Sequence, residues 1–417
     1  ERERVAVTPG AEPDTGERLL RDDPYTPAEV PVPRERRRHR RDLPAKVRRR
    51  QVIALGAVAV LVIGGGGLLL ASGGGEDEEE PLGLKRLIGQ TVVTRLVEET
   101  PDRRILERAR RGQIGGVIVN PRGGEANEQL LQRGLAQLQD AAAAGGNPPL
   151  LVMIDQEGGD VSRLPGPPDR SPPELGEDGD QEDARREGEE TGQYLRGLGI
   201  DVDLAPVLDV ELPQTADTIA SRTFGEDPAL VAEIGTAFIE GMQSQRVAAT
   251  AKHFPGLGPA TINTDFSPVR VAATDADLQA ALEPFRAAVS AGVQLVMMSS
   301  AAYPSLAGDP PGQGRVTPAV FAAPIVQGML REQLAFTGAI ITDDLEAIGI
   351  TELTNGDQAG VRALNAGVDL LLYARSRRGS VRGTNAVLKA AKRGNLTRER
   401  LQQSYDRITG LKTALRE

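Results

Sequence analysis

Four stretches of this chain place charged residues directly after a short apolar run. Leu150 to Ile154 is followed by Asp155-Gln156-Glu157-Gly158-Gly159. The run from Asp201 to Leu208 is followed by Asp209, and Ala248 to Ala251 by Lys252-His253-Phe254-Pro255-Gly256. Ala339 to Thr342 is followed by Asp343-Asp344. Charges at the ends of buried strands are costly unless something pairs with them. One such aspartate alone would read as a cap on the next helix. Four strands ending this way, and converging on one rim, point instead to a site for a polar ligand. Carboxylates stand there beside Lys, Arg and His. That mixture suits a neutral polyhydroxyl ligand, because hydroxyls both donate and accept. Carboxylate chemistry on glycosides is the reaction such a site fits.

Other chemistries are poorly served. The chain has no cysteine, which excludes disulfides, thiol catalysis and Cys-ligated metal. His39 and His253 are its two histidines, and His39 lies in a basic tail, so a His-based zinc site is not expected and neither is any metal or cofactor. There is no G-x-x-x-x-G-K-[ST] phosphate loop and no G-x-S-x-G serine elbow. Residues 1–50 carry 14 Lys/Arg against 10 Asp/Glu, whereas the remaining 367 residues carry 35 against 49. An acidic body lacks the clustered cations that nucleic acid requires.

The elements that must position these residues are legible as periodic patterns. Eight β-like runs lie at 91–96, 115–120, 150–155, 201–206, 248–252, 294–299, 339–343 and 368–373. Most are continuously apolar, as strands buried on both faces of a parallel sheet are. Amphipathic helical stretches alternate with them, among them 127–144, 227–244 and 275–291. Eight strand–helix units predict an α/β fold of the (β/α)8 TIM-barrel type, a single domain over residues 83–417, with its site at the C-terminal ends of the strands. An open doubly wound sheet is the second choice, but no G-x-G-x-x-G follows any strand.

Ahead of the barrel the composition changes twice. Residues 1–51, rich in Pro, Arg and acidic side chains, predict a disordered tail. Residues 52–71 form a 20-residue stretch without charge, the length of a transmembrane helix. The arginines before it and the acidic linker at 72–82 after it predict a cytoplasmic N-terminus and an extracytoplasmic body at the cell membrane.

Several motifs occur in the order found in glycoside hydrolase family 3. Ile154-Asp155-Gln156-Glu157-Gly158-Gly159 with Arg163 resembles the family's sugar-binding segment, and Ala205-Pro206-Val207-Leu208-Asp209-Val210 its next strand. Ser221-Arg222-Thr223-Phe224-Gly225 resembles its arginine loop. Lys252-His253-Phe254-Pro255-Gly256 is similar to the family's most specific motif. Thr342-Asp343-Asp344-Leu345 resembles the strand end bearing the nucleophile, and Ala366-Gly367-Val368-Asp369 the last strand. The resemblance covers roughly residues 83–417. It implies a β-N-acetylglucosaminidase of the one-domain type. No second sheet domain is expected after a last helix at 398–415, which favours that branch over two-domain β-glucosidase relatives. By the same resemblance Asp155 would accept from sugar hydroxyls, and Arg163, Arg222, Lys252 and His253 would donate to hydroxyls or the N-acetyl group. Asp343 would be the nucleophile of a retaining mechanism. Alternatively, Arg222 serves a salt bridge to a nearby carboxylate. Asp344 is expected to cap a helix and stays outside the site.

One segment departs from the family pattern. The family's hexosaminidases continue from Lys-His to a mobile loop with Asp-Ser-His, whose histidine is the general acid/base. Here Asn263, Thr264 and Asp265 occupy those places, and Ser300 stands where a histidine is frequent. Asp265 is the candidate acid, provided burial raises its pKa. A solvated loop role for Asp265 is the other possibility, and Glu157 is the alternative acid. The sequence thus predicts a monomeric enzyme, with carbohydrate as its partner and the membrane as its anchor. It would hydrolyse β-linked N-acetylglucosamine of cell-envelope glycans. A barrel that kept sugar binding and lost turnover, or a glycosidase for another β-linked sugar, stays open.

Overall fold

The computed structural model describes residues 83–417 apart from 97, 122–126 and 310–315. The tail at 1–51, the apolar segment at 52–71 and the acidic linker at 72–82 therefore lie outside the described residues. Among the described residues no helix is long and apolar enough to cross a membrane.

Eight strands run parallel: β1 (Val92–Leu96), β2 (Gly116–Val119), β3 (Leu151–Ile154), β4 (Val202–Asp203), β5 (Thr250–Phe254), β6 (Leu295–Met298), β7 (Ala339–Thr342) and β8 (Leu371–Tyr373). Seven of the eight runs read from the sequence contain one whole, and the run at 248–252 contains the first three residues of β5. Hydrogen-bonded neighbours follow the order β8-β1-β2-β3-β4 in one sheet and β5-β6-β7 in another. Parallel bridges Val202↔Ala248 and Ile341↔Leu370 join the two sheets at both seams, so the ring closes. Val93, Ile118, Met153, Val202, Leu295 and Ile341 belong to one buried apolar cluster that draws on seven of the eight strands and on Ala248, two residues before β5. Ile408, Leu411 and Leu415, from the last helix (Arg398–Ala414) and the residue after it, join that cluster. Residues of alternate parity, such as Val92, Val117 and Val152, belong to the cluster shared with the surrounding helices. Two-sided burial explains why these strands read as unbroken apolar runs.

Local chemistry sets the boundaries. The helices expected at 127–144 and 227–244 begin one residue later, at Glu128–Ala144 and Pro228–Ser244. Asn127 and Asp227 are their N-caps, with side chains accepting the N–H of Leu130 and of Ala229, both at 3.0 Å. The third helix, Asp275–Ser290, starts in a Thr274/Asp277 capping box. β4 is shorter than the expected 201–206. Pro206 has no N–H to continue its ladder. β5 has the expected five residues but lies two positions further along, at 250–254 rather than 248–252, so it takes in His253 and Phe254.

Candidate active site

After β3 the chain turns through a small hairpin, Gln156–Gly158 against Val161–Ser162. Gly158 and Gly159 both have positive φ there, at 91° and 57°, a region that favours glycine. The buried Gln156 amide organises the segment up to Pro167. It donates to the carbonyls of Leu164, Gly166 and Pro167, each at 3.1 Å, and accepts the N–H of Arg163 at 2.9 Å and of Leu164 at 3.0 Å. Arg163 is thereby held, half-buried, on the loop beside Asp155 and Glu157.

Lys252 of β5 reaches back to this hairpin. Its Nζ lies 3.0 Å from Asp155 Oδ1 and 2.5 Å from Glu157 Oε1. Arg222 grips Glu157 with both arms of its guanidinium, each 2.7 Å from a carboxylate oxygen. The salt-bridge role open to Arg222 is therefore present, with Glu157 as its partner, and 17% of the side chain remains exposed. Burial works against the charge on Glu157, but Arg222 and Lys252 outweigh it and hold the carboxyl far below the ordinary carboxylate range. This corrects the reading of Glu157 as an alternative acid: a carboxylate held by two cations does not keep a proton to give. Burial also opposes the charge on Lys252, and Glu157 and Asp155 outweigh it in turn, raising its pKa.

Beside Lys252, His253 is fixed by Asp209. The ring Nδ1 is 2.8 Å from Asp209 Oδ2, and Asp209 Oδ1 accepts the N–H of His253 at 3.2 Å and of Leu257 at 2.6 Å. The sequence marks Asp209 only as a strand end; here it orients the imidazole. With Nδ1–H given to Asp209, Nε2 is the ring atom left for a ligand. It accepts when the ring is neutral and donates only when the ring is charged.

β7 ends at Asp343, which is partly exposed and accepts the N–H of Asp344 at 2.7 Å. Asp344 points elsewhere. It is buried, and its Oδ1 accepts the N–H of Glu346 at 3.1 Å and of Ala374 at 3.0 Å, while Oδ2 accepts from Arg375 Nε at 3.0 Å. The helix-cap expectation for Asp344 is corrected, since the next helix, Ile348–Thr351, has Ala347 as its N-cap residue. Asp344 instead joins the end of β7 to the residues after β8. Burial pushes its pKa up to about 7.

The loop after β5 brings Asp265 to the same rim. Asn263 Oδ1 accepts the N–H of Asp265 at 2.8 Å, closing a local turn. The carbonyls of Thr264 and Asp265 accept N–H groups from Gly349 at 3.0 Å and Ile348 at 3.2 Å. A Cβ on Gly349 would lie 2.5 Å from the Thr264 carbonyl oxygen, so the close approach requires glycine here. Arg375 Nη2 donates to the Asp265 carbonyl at 3.0 Å and lies 3.3 Å from its Oδ1. Burial raises the Asp265 pKa, the charge of Asp343 raises it further, and Arg375 and Arg222 pull the other way. Asp265 is thus not a solvated loop residue. Ser300, two residues past the end of β6, is buried.

Asp155, Glu157, Arg222 and Lys252 form one polar cluster, while Asp343 and Asp265 interact electrostatically across the rim. Arg375 is the residue sequence reasoning missed. It sits two positions past β8, and asking what ends each strand would have found it had the question been carried to the eighth.

The glycosyl hydrolase family 3 N-terminal domain matches residues 84–411. An uncharacterized secreted glycosyl hydrolase of Arthroderma benhamiae is 33% identical over 336 residues, covering 78% of this chain and 92% of that protein. The structure of a glycoside hydrolase family 3 β-N-acetylglucosaminidase from Paenibacillus sp. superposes with a TM-score of 0.75 at 32% identity, over 80% of this chain. This chain spans 63% of the length of that enzyme. The β-N-acetylhexosaminidase from Beutenbergia cavernae gives a TM-score of 0.71 at 30% identity, covering 80% of this chain and 99% of that one.

Proposed function

The chain belongs to glycosyl hydrolase family 3 and is a glycosidase, and on that premise we propose that it releases β-linked N-acetylglucosamine with retention of configuration. The observation that carries this reading is the run of contacts that joins Asp265, through Arg375 and Asp344, to Asp343 at the end of β7, on the rim that also holds the Lys252–Asp155–Glu157–Arg222 cluster. Likeness to enzymes named for N-acetylglucosamine and N-acetylhexosamine supports the sugar.

In the first step the Asp343 carboxylate attacks the anomeric carbon while Asp265 gives its proton to the glycosidic oxygen. The bond from the anomeric carbon to that oxygen breaks, the aglycone leaves as an alcohol, and the sugar is esterified to Asp343. The ester carries no charge, so the repulsion that raised the Asp265 pKa is gone. Asp265, now a carboxylate, takes a proton from water, whose oxygen attacks the anomeric carbon and frees Asp343. Two inversions give retention. A pKa that falls when the nucleophile is esterified suits a group that is acid first and base second. Asp155 accepts from ring hydroxyls, Arg163, Arg222 and Lys252 donate to hydroxyl or N-acetyl oxygens, and Nε2 of the neutral His253 ring accepts from a hydroxyl.

Cell-envelope glycans are the proposed source of substrate. The support is the uncharged stretch at 52–71, basic before and acidic after, which suits a body held outside the cell membrane. Hydrolysis of 4-nitrophenyl β-N-acetylglucosaminide, followed by NMR, tests the reaction. The β anomer of the free sugar is expected first. Binding without turnover would instead favour a sugar-binding barrel.

A further inference from the structure

We propose that Arg375 is a positioning residue for the proton donor, tying the Asp265 loop through Asp344 to the strand end that bears Asp343. This rests on the reading of Asp265 as the acid. The family position is occupied here by an aspartate on a loop, and an aspartate carboxyl reaches less far than an imidazole. A short acid must have its backbone held in place, since small misplacements cost rate.

The contacts of Arg375 meet that need. One nitrogen, Nε, donates to Asp344 Oδ2 at 3.0 Å, and another, Nη2, serves both the carbonyl and the carboxylate of Asp265. Asp344 is in turn fixed by the N–H groups of Glu346 and Ala374, and its own N–H holds Asp343 Oδ1. One guanidinium therefore links the loop, the β7 end and the β8 end. A planar fork can bridge two acceptors in this way, and a lysine ammonium is a poor substitute. The Arg375 side chain is 18% exposed and that of Asp265 20%, which sets the pair apart from the loose ion pairs of an open surface.

The arrangement also tunes the acid. The charged groups facing Asp265 are Asp343, Arg375 and Arg222; Asp343 raises its pKa and the two arginines lower it. Loss of Arg375 therefore has two consequences that a merely structural residue would not produce together. Protonation of poor leaving groups falters, because the carboxyl is misplaced. The alkaline limb of the rate profile moves to higher pH, because a cation that favoured the carboxylate is gone.

The test uses the full chain and two substrates, 4-nitrophenyl β-N-acetylglucosaminide and a β-linked N-acetylglucosamine disaccharide. Arg375→Gln should lower kcat/KM on the disaccharide about 100-fold, within the range general acid catalysis supplies, with only a few-fold loss on the aryl substrate. The alkaline limb on the disaccharide should shift upward. Arg375→Lys, in case the glutamine variant folds poorly, should keep the limb near its native place and still lose about 10-fold on the disaccharide, because a point charge cannot span both acceptors. Equal losses on both substrates, or an unmoved limb in Arg375→Gln, would overturn the proposal. Asp265→Asn separates this from the parent reading. If it shows the same substrate selectivity while the Arg375 variants do not, only the role of Arg375 falls. If Asp265→Asn spares both substrates, or the native chain turns over neither, the acid assignment fails and the role of Arg375 with it.

Discussion

The two rims of this barrel both carry buried carboxylates filled by donors, but only the C-terminal rim, among the residues described above, adds two that keep lone pairs to spare, Asp343 and Asp265. At the N-terminal rim, Asp369 precedes β8 and is fully buried. It accepts from Arg331 at 2.7 Å, Arg400 at 2.9 Å, Ser404 at 3.0 Å, Arg407 at 3.2 Å and the N–H of Ile340 at 3.1 Å. Asp201, before β4, accepts the N–H of Val152 at 3.0 Å, with Arg196 and Arg416 close by. At the C-terminal rim, Asp343 accepts one backbone N–H from Asp344 and stays partly exposed, and Asp265 shares Arg375 with Asp344. Carboxylates surrounded by donors fix structure, whereas carboxylates with unused lone pairs remain available to a ligand. Position along a strand therefore separates stability from chemistry, as the architecture predicts.

The division is most exposed at Asp369. Asp369→Asn keeps the shape and leaves three arginines facing a neutral amide. It should cost about 3–5 kcal/mol of stability, the loss typical of breaking a buried pair, with turnover per folded molecule unchanged. Denaturant melts and active-site titration together check this. A stable variant with impaired turnover would break the division.

A second effect at the same rim depends on pH. Lys412 is buried in the last helix, with Nζ donating to Gln90 Oε1 at 2.7 Å. Burial, aided by the charge of Arg416 and opposed by Asp201, pushes its pKa down to about 7. The unfolded chain keeps that proton up to roughly pH 10. Between these values the unfolded state binds more protons, so stability should rise as pH increases from about 7 towards 10. Below about 7 the full penalty of charging a buried amine remains. Urea melts across that window should show the rise in the native chain, and Lys412→Met should flatten it. An identical rise in the variant would assign it to another group.

The smallest expected effect sharpens the C-terminal side. Gly349→Ala puts a methyl against the Thr264 carbonyl and should push the Asp265 loop outward. A loss of about 10-fold in kcat/KM on a poor-leaving-group substrate is expected, for the displacement is small and the chemistry unchanged. Little change on the aryl substrate should accompany it. Unaltered kinetics on both would mean the loop position does not matter.

Much of this was legible in the sequence because the signals are local. Unbroken apolar runs mark strands buried on two faces, and Asn127, Asp227 and Thr274 announce helix starts by their cap chemistry. Charged strand ends place Asp155, Lys252 and Asp343 on one rim by pattern alone. What failed depended on partners distant in sequence. The sequence misleads at Glu157 and Asp344 because their cations, Arg222 and Arg375, arrive from loops distant or separate in sequence. Arg375 is 110 residues from Asp265, and no local pattern joins them. β5 runs past the end of its apolar stretch because Lys252 and His253 are polar yet buried. They are paired with Asp155, Glu157 and Asp209, so a strand can hold them.

Asp343, among all these carboxylates, is the one proposed to bond to the sugar. A slowly turned-over fluorosugar with an activated leaving group traps that ester, and mass spectrometry of the digested protein locates it. One added sugar is expected, on the peptide containing Asp343 and lost in Asp343→Asn, with Asp369 and Asp201 unlabelled. A label on Asp265, Asp155 or any other carboxylate would contradict it, and so would rapid turnover by Asp343→Asn.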